Sequence, residues 1–159
     1  MPEELIFTTA PFASGESIPH EYTCEGTDIS PALEWAFGSD EAESLVLIVD
    51  DPDAPGQTFT HWVLFNLPGD TTSLPRGVEV GVHYVDANPI PHEGKNDFGD
   101  VGYDGPCPPP GDGPHRYFFR LYALDTVLDL GSGASKEQVA DAMDGHVIDE
   151  TERTGTYER

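Results

Sequence analysis

Three side chains in this chain of 159 residues have types and spacing that could act on one small ligand: Asp51, His61 and His115. Asp51 closes the apolar run SLVLIVDD (44–51), and His61 stands at the start of the next one, THWVLFNL (60–67). The prolines and glycine of the connecting DPDAPGQTF cannot continue a β-ladder, so the two runs read as a hairpin with a long connection. Asp51 and His61 then lie beside the same loop, close enough to touch. His115 opens a third run, HRYFFRLYAL (115–124), in which period-two alternation puts His115, Tyr117 and Phe119 on one face and Arg116, Phe118 and Arg120 on the other. If this strand joins the same sheet, His61, the DPDAP loop and the GPCPPPGDGPHRY loop converge at one rim, where binding residues commonly sit on a rigid scaffold.

A carboxylate with two imidazoles allows three kinds of chemistry. Protonated imidazoles and loop N–H groups can hold a phosphate by charge-assisted hydrogen bonds, with Asp51 orienting one imidazole or meeting a ligand ammonium. Two histidines and one carboxylate are also the ligand set of a non-haem iron site. A histidine backed by an aspartate could serve as a general base, but no serine or cysteine has a nucleophile context such as GxSxG. The plain alternative for each imidazole is a rim residue that only hydrogen-bonds its neighbours.

The elements that must position these groups are mainly β. Leu5–Thr8 and Ala32–Phe37 read as short strands, 44–51 as a buried central strand, and 154–158 as an edge strand. Between Pro68 and Asp100 only the weak pattern 78–85 suggests a strand amid Gly, Pro, Asn and Asp. One helix is signalled: Ser135 with Gln138 three residues on makes a capping box, and Val139, Met143 and Val147 recur at helical spacing before a break near Gly145. Length and patterning fit one domain, residues 1–159, built as an antiparallel sandwich with a small α decoration. The opening Met1-Pro2-Glu3-Glu4 lacks the charged-then-apolar pattern of a secretory leader and no run is long enough to cross a bilayer, so a cytoplasmic location is expected.

Thirty acidic residues against seven basic ones give a formal net charge of -23, and the only ammonium side chains are Lys95 and Lys136. Nucleic acid and anionic membranes would repel such a surface. The acids are spread among apolar segments and so belong to a folded protein suited to a cytoplasm with molar salt, as in a halophilic microbe. Melting temperature should therefore rise from dilute buffer to molar KCl as carboxylate repulsion is screened; a flat or falling curve would remove the halophile reading. The two cysteines, Cys24 and Cys107, read as separate, partly buried thiols rather than a disulfide or a zinc site.

Several stretches, EYTCEGTDISPALEW, LVLIVDDPDAP, HWVLFNLP, GYDGPCPPPGDGPHRYFFRLYAL and MDGHVIDE with GTYER, resemble the phosphatidylethanolamine-binding proteins, also called Raf-kinase-inhibitor-like proteins, in their small prokaryotic branch. DPDAP followed by GPHRY at this separation is the most specific part of the match. The resemblance implies a Greek-key antiparallel β-sandwich with a small C-terminal helix. It also implies an anion pocket formed by Asp51, His61, His115, Tyr117 and Pro109, with the backbone N–H of Cys107 where eukaryotic members often have glycine. Asp53 and Arg116 would fix the loops as an ion pair, and Trp35 and Trp62 would be core or sheet-face residues rather than ligand contacts.

The resulting expectation is a binding protein without cofactor, metal or catalytic residue. It would hold a phosphate-bearing or other small anionic ligand, a phospholipid headgroup being the example the family name suggests, and could act in an inhibitor-like regulatory way. The alternative is a small metal-dependent or hydrolytic enzyme using Asp51, His61 and His115. A kinase or protease partner and a homodimer are left open, and neither nucleic acid nor a stable membrane association is expected.

Overall fold

The computed structural model describes residues 4–159; Met1, Pro2 and Glu3, on which the reading of the N-terminus partly rested, lie outside the described residues. Among the described residues, eight strands form two antiparallel sheets. β1 (Ile6–Thr9), β2 (Leu33–Ala36) and β5 (Ser73–Leu74) make the small one, in the order β1-β2-β5. The large sheet runs β6-β4-β3-β7-β8, where β3 is Ser44–Asp51, β4 Phe59–Pro68, β6 His92–Glu93, β7 His115–Leu124 and β8 Val147–Tyr157.

The burial of β3 explains its unbroken apolar sequence. All eight residues are buried because both faces of this central strand are covered. Leu45, Leu47 and Val49 face the small sheet and join Phe7, Leu33, Trp35 and Leu74 in the inter-sheet core. Val46 and Ile48 point the other way, into a second core with Val63, Phe65, Val139 and Met143. That second core is roofed by α2 (Lys136–Met143), whose capping box is complete: Gln138 N–H donates to Ser135 Oγ and Ser135 N–H to Gln138 Oε1. Fully burying side chains such as Val139 and Met143 contributes about 1.5–3 kcal/mol each, which holds so short a helix in place.

Two local readings are corrected. The chain leaves the helix after Met143 and turns at Gly145, φ +81°, so Val147 is the first residue of β8 and not part of a helical stripe. β8 pairs with β7 from His115↔Tyr157 to Leu124↔Val147, a longer edge strand than the five residues expected. The 78–85 pattern forms the short helix α1 (Val80–His83) instead of a strand: Val78 is buried in the inter-sheet core and Val80 packs against it, while Val82 and Val85 are exposed.

A third correction concerns the cysteines. Cys24 and Cys107 are disulfide-bonded. Three hydrogen bonds run beside the bond: Cys24 N–H donates to the Pro106 carbonyl (3.1 Å), Gly105 N–H to Asp28 Oδ1 (2.7 Å), and the Tyr103 hydroxyl to the Tyr22 carbonyl (2.6 Å). Gly105 is required there, since a Cβ would sit 2.0 Å from the Tyr22 carbonyl oxygen. The loop that precedes β7 is thus fastened to the 20–28 segment along its length.

Candidate functional site

The two faces of β3 end on adjacent aspartates with different tasks. Asp50 continues the outer face and is 2% exposed, paired with Arg120 of β7 (2.8 Å) and Lys136 of α2 (3.0 Å). Asp51 continues the inner face. Its Oδ1 accepts from Asp53 N–H (2.7 Å), which tightens the turn after the strand, and its Oδ2 faces His115 Nδ1 at 2.7 Å. Period-two geometry brings His115 and Tyr117 of β7 to the same inner face.

His61 reaches that face by a different device. Val49 pairs with Trp62 and Asp50 with Thr60, so His61 is the extra residue of a β-bulge. Strict alternation would have sent it outward with Val63 and Phe65; the bulge re-aims it inward beside Trp62. Its ring lies against Tyr117 (5.3 Å between centroids), Phe59 (5.0 Å) and Phe98 (5.5 Å). His61 Nδ1 lies 2.8 Å from the Asp104 carbonyl oxygen, which can only accept, so Nδ1 carries the hydrogen and Nε2 of the neutral ring is a bare acceptor.

Asp51, His61, Cys107, Pro109, His115 and Tyr117, all anticipated in the sequence, line one cavity of about 200 Å³ together with Ala54, Pro55, Phe59, Phe98 and Pro108. Asp51 and His61 share this cavity, but their hydrogen bonds go elsewhere: the partner of Asp51 is His115, and that of His61 is the Asp104 backbone. Cys107 enters the wall as half of the disulfide, so it offers no thiol. Arg116 grips Asp53 through two guanidinium nitrogens, both at 2.9 Å, and its own N–H donates to the same carboxylate. This bidentate pair, which holds the Asp53 carboxyl down to about 2, is the loop clamp expected from the sequence. Trp35 and Trp62 are core residues, as expected, each with its indole N–H satisfied.

The sequence reading missed Asp112, which faces the other nitrogen of His115: Nε2 to Asp112 Oδ2 is 2.5 Å. Its position three residues ahead of the histidine in PGDGPH was the available signal. Phe98 was also missed, because it stands in the stretch that sequence patterning left as loop.

The two imidazoles have opposite electrostatics. Burial lowers the His61 pKa and outweighs its carbonyl partner and the nearby carboxylates, so the ring is neutral at pH 7. At His115 burial also works against charge, but hydrogen bonds to Asp112 and Asp51 overcome it and the pKa is raised. Geometry agrees: with a carboxylate on each ring nitrogen, both must donate, as only imidazolium can. Tyr117 remains a phenol, its pKa pushed well up by burial and then by the Asp51 carboxylate beside it.

This arrangement bears on the metal alternative. Both nitrogens of His115 are engaged as donors, and among the described residues no group of three or more His, Cys, Asp or Glu side chains is arranged to hold an ion.

Comparison with known proteins agrees with the fold. The family model for phosphatidylethanolamine-binding protein matches residues 8–158. A UPF0098 protein of Methanothermobacter thermautotrophicus is 55% identical over 145 residues, 89% of this chain and 91% of that protein. The crystal structure of a phosphatidylethanolamine-binding protein homologue from Chlamydia trachomatis superposes with a TM-score of 0.88 at 40% identity over 99% of both chains. That of Escherichia coli YbcL, a member of the mammalian family, gives 0.85 at 31% identity over 98% of both. The chain belongs to the phosphatidylethanolamine-binding protein family.

Proposed function

We propose that the chain binds a small phosphate-bearing ligand in the Asp51–His61–His115 cavity and performs no chemistry on it. The observation that carries this reading is the convergence, in one partly apolar cavity, of an imidazolium held by Asp51 and a second imidazole whose free nitrogen can take up a proton. Both point to an anion. Membership of a family of binding proteins supports a non-catalytic role. A cavity of about 200 Å³ is below the ~300–1,000 Å³ typical of drug-sized ligands, so it suits a headgroup-sized molecule. Phe59, Phe98, Pro55 and Pro108 give its apolar part a wall to lie on.

The pH dependence follows from His61. It is neutral in the empty site, and an anion beside Nε2 favours its charged form, so binding takes up one proton. His115 is already charged and adds little. Phosphate affinity should therefore rise as pH falls from about 8 to 6, by no more than roughly tenfold per unit, because one histidine and not two supplies the linkage. The ligand's own ionisation near ~6 opposes the trend at the acid end. Titration calorimetry with a phosphomonoester, methyl phosphate, in buffers of different ionisation enthalpy measures both affinity and proton uptake. Affinity independent of pH, or binding equally strong in His61→Ala, would sink the assignment. Asp51→Asn serves as the control on the metal alternative: a metal site would lose a stoichiometric ion, detectable by elemental analysis of the purified protein.

A further inference from the structure

The cation of the site is already occupied by an anion of the protein's own. His115 is 3% exposed and lies between two carboxylates: Asp51, buried at the end of β3, on Nδ1, and Asp112, with 44% of its side chain exposed, on Nε2. Asp51 is held by the Asp53 N–H and cannot leave without unmaking the turn. Asp112 is differently placed. It sits between Gly111 and Gly113, both at positive φ (+78° and +82°) with nothing within 4 Å of where a Cβ would be. The backbone is held, Gly111 N–H donating to the Arg159 carbonyl (2.9 Å) and Asp112 N–H to the Pro109 carbonyl (3.2 Å), but the half-exposed side chain can rotate its carboxylate outward about its own bonds. The other charged or titratable groups near His115 are committed: Asp53 to Arg116, His61 to the Asp104 carbonyl, Arg159 to the Pro108 carbonyl, and Tyr157, opposite His115 in β8, to Glu25, while Tyr117 stands as a phenol beside Asp51.

Accepting the phosphate reading of the cavity, we propose that Asp112 is a tethered competitor: a ligand anion enters by displacing its carboxylate from His115 Nε2, and this exchange determines which anions the site accepts. A carboxylate on a short loop acts at an effective concentration of millimolar or more. A free monocarboxylate offers His115 no better partner than the one it has, so the site rejects it. A phosphomonoester has additional oxygens that engage His61 at the same time, which Asp112 on its exposed side does not, and therefore wins the exchange. Asp112 is thus a specificity residue favouring tetrahedral dianions over carboxylates.

The test compares wild type with Asp112→Ala and Asp112→Asn at pH 6.5, by calorimetry with inorganic phosphate and with acetate, alongside ¹⁵N NMR titration of the His115 ring without ligand. Removing the competitor should strengthen phosphate binding by about tenfold in Asp112→Ala and bring acetate into the measurable range; Asp112→Asn, which keeps a neutral acceptor, should fall between. In the ligand-free proteins the His115 pKa should drop in Asp112→Ala. An unchanged His115 titration, or equal phosphate affinity in wild type and Asp112→Ala, would overturn the exchange and leave the phosphate pocket standing. Phosphate binding to none of the three would overturn both, and binding to Asp112→Ala alone would support the exchange.

Discussion

Replacing His115 with alanine should remove most of the anion affinity and also cost the protein about 3 kcal/mol of stability. The affinity loss follows from deleting a charge-assisted hydrogen bond worth ~1.5–3 kcal/mol, or one to two decades in phosphate Kd. The stability loss follows from burial: His115 and Asp51 are each 3% exposed, so the alanine leaves a buried carboxylate whose remaining donor is the Asp53 N–H. Breaking a buried pair from one side typically costs ~3–5 kcal/mol, and the low end applies where a cavity lets water reach the orphaned group.

The pH dependence has a definite sign. The His115 pKa is raised in the folded state, so its contribution is complete below the unfolded value of ~6.5 and disappears as pH rises through the folded one. The gap in urea midpoint between wild type and His115→Ala should be widest below pH 6.5 and narrow on the alkaline side. His115→Gln, which keeps a donor and most of the volume, should recover stability but not affinity. A His115→Ala protein as stable as wild type at pH 6 would contradict the buried ion pair.

Loss of the Cys24–Cys107 disulfide should have an effect of similar size by another mechanism. The bond closes a loop with a sequence separation of 83, and the chain-entropy model gives about 4 kcal/mol for a closure of that length. Urea unfolding of the oxidised protein, the protein reduced with dithiothreitol and the Cys24→Ser/Cys107→Ser variant should show both altered forms weakened by about that amount. The three hydrogen bonds alongside keep the loop docked in the folded state, so the fold survives in dilute buffer. Cys107 and Pro109 line the cavity, so phosphate binding should also loosen measurably. Coinciding unfolding curves with and without reductant would contradict this. Disulfides seldom persist in a reducing cytosol outside hyperthermophiles, so the bond also bears on the compartment, which sequence alone had pointed to as cytoplasmic.

The sequence by itself determined the layers. SLVLIVDD is apolar from Leu45 to Val49 because β3 is covered on both sides, and HRYFFRLYAL alternates because only its His115, Tyr117 and Phe119 face is deeply buried. Strand ends and turn residues are local matters, and local chemistry placed Asp51 at the end of one strand and His115 at the start of another and closed the capping box of α2. The tertiary structure decided what depends on distant partners. The inward turn of His61 comes from a bulge that appears only when β4 is laid against β3, since the alternation of β4 alone points that ring outward. The bond between cysteines 83 residues apart required the fastening of two loops that no periodicity joins. The opposite charge states of two histidines in the same cavity depend on what stands at each nitrogen: a backbone carbonyl at His61, and two carboxylates, one 64 residues away and one three, at His115.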